Sequence, residues 1–254
     1  MGAFFMAAIW LGPAQASCTA SAGLTSVQVR QVVDGDTLRL QDGRSVRLIG
    51  INAPEIGRKG RTDEPFAVAA RRRLQALVDD SDAMVLLQSG VEARDHYGRT
   101  LAYLYGRNGL GLETQLLAEG LALQVAVAPN TERAVCQQQA EQAARAAGLG
   151  LWRTSPGVSA AQVDSAGFAL LTGRVSKIER NRAGLWVELD DSVVLHFAPQ
   201  VAAQLAERGL DDLAGQTLEA RGWVIDRRAR GNVSAGQLRW MLPITDPGMV
   251  RRQR

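Results

Sequence analysis

Between Ser26 and Ile51 the chain lays down three short β-rich runs, VQVRQVV, LRLQ and SVRLIGI, separated by DGDT at Asp34–Thr37 and by Asp42-Gly43. Asp-Gly pairs flanked by such runs are strong hairpin signals, because the turn calls for a positive φ that glycine supplies at little cost. A helix is then expected from about Pro65, with Thr62 or Asp63 as its cap. Its apolar residues Phe66, Ala70, Leu74, Leu77 and Val78 keep helical spacing and leave Arg71, Arg72 and Arg73 outward. Two strands follow, AMVLLQ and RTLAYLYG, then a helix over 112–119 closed by Gly120. A short run, LALQVAV, leads to a third helix over about 131–147, ended by Gly148. Three strands, a helix, two strands and two helices suit a five-stranded barrel of the OB type with three helices packed on it.

The pattern returns downstream. LLTGRVSKIERNRAGLWVELDDSVVLHF reads as three strands with turn chemistry at Asn181–Gly184 and Asp190-Asp191; QVAAQLAERG reads as a helix, and QTLEARGWVIDRR and LRWMLPITDP as later strands. A second small OB-like β-barrel is expected, without residue-level repetition of the first. The organisation read from this is a signal peptide over 1–16, a first domain over 17–152, a small, polar linker over 153–165 and the second barrel over 166–248. The tail Arg251-Arg252-Gln253-Arg254 is expected to be mobile.

The N-terminal apolar stretch Ala3–Gly12, followed by Ala14-Gln15-Ala16, has the form of an export signal cut after Ala16, although no Lys or Arg precedes it. It is too short to span a bilayer as a mature helix. Lipoprotein anchoring at Cys18 is disfavoured, since Gln15 stands where such a site carries an aliphatic residue. A periplasmic or secreted monomer is the resulting expectation. Cys18 and Cys136 are the two cysteines, and an oxidising compartment would favour a bridge between them. With a formal net charge of only +3 on 254 residues, affinity for polyanions has to come from where arginines stand, not from bulk charge.

Four stretches carry chemistry: DGDT at Asp34–Thr37, VRLIGINAPE at Val46–Glu55, DHYGR at Asp95–Arg99 and GLW at Gly150–Trp152. Cleaving a phosphodiester means bringing water to a centre guarded by negative oxygens and then stabilising further charge on them. Arg47 and Arg99 could each bond two phosphate oxygens through a planar, permanently charged fork. A carboxylate such as Glu55 could take the proton of the attacking water. A hard divalent cation held by carboxylates could polarise the same phosphate.

In this order and spacing the four stretches resemble the thermonuclease, or staphylococcal nuclease-like, family over residues 28–152. The resemblance implies an OB-type barrel with helices and a calcium-dependent endonuclease acting on single- or double-stranded DNA and RNA, leaving 3′-phosphate ends. It places Arg47 and Arg99 at the phosphate-binding arginines, Glu55 at the general base, and Asp36, Asn52 and the Ala53 carbonyl at the calcium ligands. Asn52 departs from the family's aspartate, and the lost charge implies weaker calcium binding or a shifted metal preference. Asp34 and Asp95 read as structural supports. Tyr97 either stacks on a base or sugar or packs. Arg58, Lys59 and Arg61 form a basic loop that either tracks a phosphate backbone or is solvated. In the second barrel, Lys177, Arg180, Arg182, Arg227, Arg228 and Arg230 alternate with Trp186, Trp223 and Trp240, a pattern of single-strand binding or of an ordinary core. The competing reading of the chain is a catalytically silent protein that binds nucleic acid or a partner through two barrels.

Overall fold

In the computed structural model of the protein, described over residues 18–58, 60–210, 212–229, 231 and 236–253, strands β1 (Thr25–Val32), β2 (Thr37–Leu40) and β3 (Ser45–Leu48) form the expected meander. A two-residue strand, β4 (Ile51–Asn52), follows, then α1 (Ala67–Asp79), β5 (Met84–Arg94), β6 (Thr100–Tyr105), α2 (Leu112–Ala118), β7 (Leu123–Gln124) and α3 (Ala134–Ala146). Five of these strands close in the order β1-β2-β3-β6-β5, with β3 and β6 parallel. The alternation of β1 feeds Val27, Val29 and Val32 inward, and a register shift between Val29 and Gln31 bends the strand as closure requires. Leu38, Leu40, Val46, Leu48 and Leu104 meet Leu74, Leu77 and Val78 of α1 and Leu116 and Leu117 of α2 in one core.

The second half continues with β8 (Val158–Ser159), β9 (Gly167–Asn181), β10 (Gly184–Leu189), β11 (Val193–Phe197), α4 (Pro199–Glu207), β12 (Thr217–Asp226), β13 (Trp240–Ile244) and β14 (Val250–Arg252). Here β9-β10-β11-β13-β12 closes back on β9, again with its third and fifth strands parallel. Both barrels therefore share the OB-type strand order. The signal stretch 1–16, Lys59, Arg230 and Arg254 lie outside the described residues.

Three local expectations are corrected. The residue before α1 is Phe66, at φ 69 and without a side-chain cap; Thr62 and Asp63 stand too early. Arg251 and Arg252 of the tail are not loose, because β14 pairs with β12 and Arg251 reaches Glu219. Gly35 is needed for close approach, not for positive φ: a Cβ there would lie 2.6 Å from the Ala53 Cβ and 2.7 Å from that of Ala70.

Two ties hold the molecule together. Cys18 and Cys136 form a disulfide that fastens the N-terminal arm to α3. Between the barrels lies a buried ionic cluster. The Arg221 Nη1 of β12 donates to Glu141 Oε1 and Oε2 of α3 at 2.7 and 2.6 Å, and to the Gln124 carbonyl at 3.1 Å. Its Nη2 donates to Glu219, which also accepts from Arg145 and Arg251. Val125 and Ala126, from the end of the first barrel, pack into the second core.

Removing one member of a buried, hydrogen-bonded ion pair typically costs about 3–5 kcal/mol. Arg221→Met is accordingly expected to lower stability by that order in chemical denaturation, because Glu141 loses its cation. A second prediction concerns Glu113 of α2, fully buried, whose Oε1 accepts from the Leu104 N–H at 2.9 Å. Burial pushes its carboxyl up from 4.5 to about 8, so the folded protein keeps a proton that the unfolded chain sheds from pH 4.5 upward. Stability from this group is therefore lost as pH rises through that interval. Glu113→Gln keeps the acceptor and is expected to be more stable than the parent at pH 8, with the gap closing toward pH 4, in denaturation series at both pH values.

Candidate active site

The hairpin turn DGDT packs against Ala53 and α1 because Gly35, lacking a Cβ, lets its backbone lie against the Ala53 and Ala70 methyls. Asp34 and Asp36 are both buried there. Asp36 Oδ2 accepts from the Ala53 N–H and its Oδ1 from the Thr37 hydroxyl, both at 2.9 Å. Arg47 lies opposite Thr37 in the β2–β3 register, which brings its side chain to Asp36. The Nη1 donates to the Leu48 and Ile51 carbonyls at 2.8 Å each. The Nη2 donates to Asn52 Oδ1 and pairs with Asp36 Oδ2, each at 3.1 Å. This fork is turned inward, with 11% of its side chain exposed.

Arg99 is held differently. Asp95 Oδ1 accepts from the Tyr97 and Arg99 N–H groups at 3.0 and 2.9 Å, closing a tight turn in which Gly98 sits at φ +79. Asp95 Oδ2 accepts from the Arg99 Nε at 2.7 Å, the guanidinium lies over the Tyr97 ring at 5.4 Å, and among the described residues its terminal nitrogens make no hydrogen bond. Partial burial raises the Asp95 carboxyl, but the Arg99 hydrogen bonds and charge outweigh it and hold it below the ordinary range.

Glu55 is fixed at the backbone by a reciprocal pair with Glu64: its N–H donates to Glu64 Oε2, and its carbonyl accepts from the Glu64 N–H. Asp63 Oδ1 accepts from the Gly57 N–H, so the acids that precede α1 hold this loop instead of capping the helix. The Glu55 side chain lines a hollow of about 490 Å³ together with Asp34, Arg58, Arg61 and Arg99. Partial desolvation, then the negative charges of Asp36 and Asp34, push its carboxyl above the ordinary 4.5 against the pull of Arg47. Asp34 is raised as well, by desolvation first, although Ile56 N–H and Arg58 oppose it. Arg58 Nη2 pairs with Asp34 Oδ2 at 3.1 Å, which keeps this basic residue at the hollow's wall.

A second cleft, of about 450 Å³, is lined by Arg47, Arg99, Asp95, His96 and Tyr97. Arg99 belongs to both spaces, so the two arginines and Glu55 surround one rim of the barrel. Tyr97 is 74% exposed and stacks against His96. The calcium implied by the resemblance does not fit the residues as they stand. The oxygens of Asp36 and Asn52 already face the Arg47 guanidinium, which would have to leave them for a cation to be held there. Sequence reasoning missed the roles of Glu64 and Asp63, whose acidic type was visible but whose partners lie across a loop, and the inward turn of Arg47.

Comparison with known proteins agrees with the geometry. A family model described as staphylococcal nuclease homologue matches residues 45–154, from β3 onward. The chain is 33% identical over 144 residues to a thermonuclease of Staphylococcus intermedius, which covers 56% of this chain and 83% of that protein. It is 32% identical over 136 residues to endonuclease YncB of Bacillus subtilis (strain 168), covering 52% of this chain and 64% of that one. To the SPbeta prophage-derived endonuclease YokF of the same organism it is 33% identical over 133 residues, which is 51% of this chain and 44% of YokF. With barrel and sequence in agreement, the chain belongs to the staphylococcal nuclease family, a family of phosphodiester hydrolases.

Proposed function

We propose that the protein is an exported nuclease that hydrolyses phosphodiester bonds of DNA or RNA in the hollow bounded by Glu55 and Arg99. The observation that carries this reading is the shared wall: a glutamate with a raised pKa and a guanidinium whose terminal nitrogens make no hydrogen bond among the described residues line one hollow with room for a phosphate. Arg99 bonds the phosphate oxygens and stabilises the charge that builds on them during attack. Glu55 accepts the proton of the attacking water, and its raised pKa makes it a better base than an ordinary glutamate once ionised. Asp95 keeps Arg99 aimed, and Asp34 with Arg58 keeps the loop after Glu55 in place.

Arg47 supplies positive charge from behind the site. Direct bonding to phosphate requires its Nη2 to exchange Asp36 and Asn52 for phosphate oxygens. No step of this mechanism runs through calcium. Export is supported by the Cys18–Cys136 bridge, which suits an oxidising compartment. No helix among the described residues is long and apolar enough to cross a membrane.

Glu55→Gln and Arg99→Ala are each expected to lower kcat for a single-stranded oligonucleotide by about a hundredfold or more. Unchanged turnover in both would overturn the reading. In the parent, kcat/KM should fall as pH drops through the Glu55 pKa, with the midpoint of that acid limb above 4.5; the limb should vanish in Glu55→Gln. Since Arg47 already occupies the oxygens of Asp36 and Asn52, isothermal titration of the full chain should show no submicromolar calcium binding. Tight binding would mean that Arg47 leaves them readily.

A further inference from the structure

The cleft shared by Arg47 and Arg99 has a wall that the first barrel does not supply. Trp223 of β12, in the second barrel, lines it. Of the three tryptophans that alternate with basic residues in that barrel, Trp240 is core and Trp186 is stacked against His196 at 4.0 Å. Trp223 is 42% exposed, and the edge of Phe168 packs against it at 5.2 Å, which holds the indole in place. Two other large exposed apolar residues, Tyr97 and Val127, line the same cleft. Three of the eight large exposed apolar residues among the described residues thus stand beside the two arginines.

The position of Trp223 follows from the ionic cluster. Side chains two apart on a strand share a face, so Arg221, buried against Glu141, fixes which way Trp223 points. Cationic groups on one wall and aromatic surface on the other match a nucleotide's phosphate and base. A base within a duplex has no free face to offer an indole, whereas an unpaired base stacks on one whatever its identity. The amide of Asn130, at the same cleft, is already spent on the Glu92 backbone, accepting from its N–H and donating to its carbonyl. It is therefore not available to read base edges. Asp95 is neutralised by Arg99, which leaves Glu92 as the acidic group at this lining that carries no ion pair among the described residues.

We infer that Trp223 is a nucleobase-stacking subsite for single-stranded nucleic acid, through which the second barrel holds the strand whose phosphate lies at Arg99. This rests on the nuclease reading of the neighbouring hollow and extends it: the substrate is an unpaired strand, gripped by base stacking without sequence preference, across both barrels.

The test uses the full chain carrying Glu55→Gln and a fluorescently labelled mixed-sequence oligonucleotide of about twelve nucleotides, with binding read by anisotropy. Stacking on one aromatic side chain predicts a rise in Kd of roughly tenfold for Trp223→Ala. Trp223→Phe should retain most of the affinity, and Trp186→Ala, outside the cleft, should match the parent. A fully paired duplex of the same sequence should compete poorly. Equal Kd values for the parent, Trp223→Ala and Trp223→Phe, each with an unaltered melting temperature, would overturn the subsite. Equal competition by the duplex would overturn it too. Cleavage by the chain with Glu55 intact is assayed in parallel. Cleavage with no effect of Trp223 on binding refutes the subsite and leaves the nuclease; Trp223-dependent binding without any cleavage refutes the nuclease and leaves the subsite.

Discussion

The placement of one barrel against the other depends on the Arg221 guanidinium. It is buried between Glu141 and Glu219, and it also donates to the Gln124 carbonyl, so a single side chain touches α3, the end of the first barrel and its own strand. A charge buried this deeply is tolerated only because every partner is present. The geometry it fixes is specific in a way that apolar packing of Val125 and Ala126 alone would not be. Sliding one barrel by a residue would leave carboxylates without their cation. The cleft beside Arg99 inherits that precision.

A second constraint governs the chemistry. Asp34, Asp36 and Glu55 are crowded together by the close approach at Gly35, and their mutual repulsion has to be offset locally. Arg47 takes Asp36 and Arg58 takes Asp34. Glu55 has no ion-pair partner of its own among the described residues, and partial desolvation, then the charges of Asp36 and Asp34, raise its carboxyl. Basicity at the rim is thus a product of partial burial first and of the neighbouring carboxylates second. Asn52 belongs to the same balance: its amide oxygen accepts from Arg47, where a carboxylate would have bound that guanidinium more tightly.

Much of this was legible in the sequence, for identifiable reasons. Strand runs were visible because alternation and Asp-Gly turns are local signals, and the two-fold recurrence of strand triplet, helix and strand pair announced two barrels. Arg47, Glu55 and Arg99 could be picked out because their ordered motifs carry information together that none carries alone. What could not be read is whatever depends on partners distant in the chain. Arg221 looks like any strand arginine until Glu141 is set against it, 80 residues away. Arg47 is a different case: three of its four acceptors, on Leu48, Ile51 and Asn52, are near in the chain, but only the turn from β3 into β4 aims them at the guanidinium. The residue types at Thr62 and Asp63 favoured a helix cap, yet the turn through Phe66 put α1 out of their reach, and the Gly57 N–H took Asp63 instead.

Helix α3 is gripped twice. Its first turn carries Cys136, bridged to Cys18, and a later turn carries Glu141, which seats Arg221. Thiol chemistry at one end of this rod and the docking of the second barrel at its middle therefore share a mechanical support. In a reducing milieu the arm would be released from the rod that bears Glu141. The same polypeptide would then hold its two barrels on a less firmly anchored spine, which ties its working form to the redox character of the place where it folds.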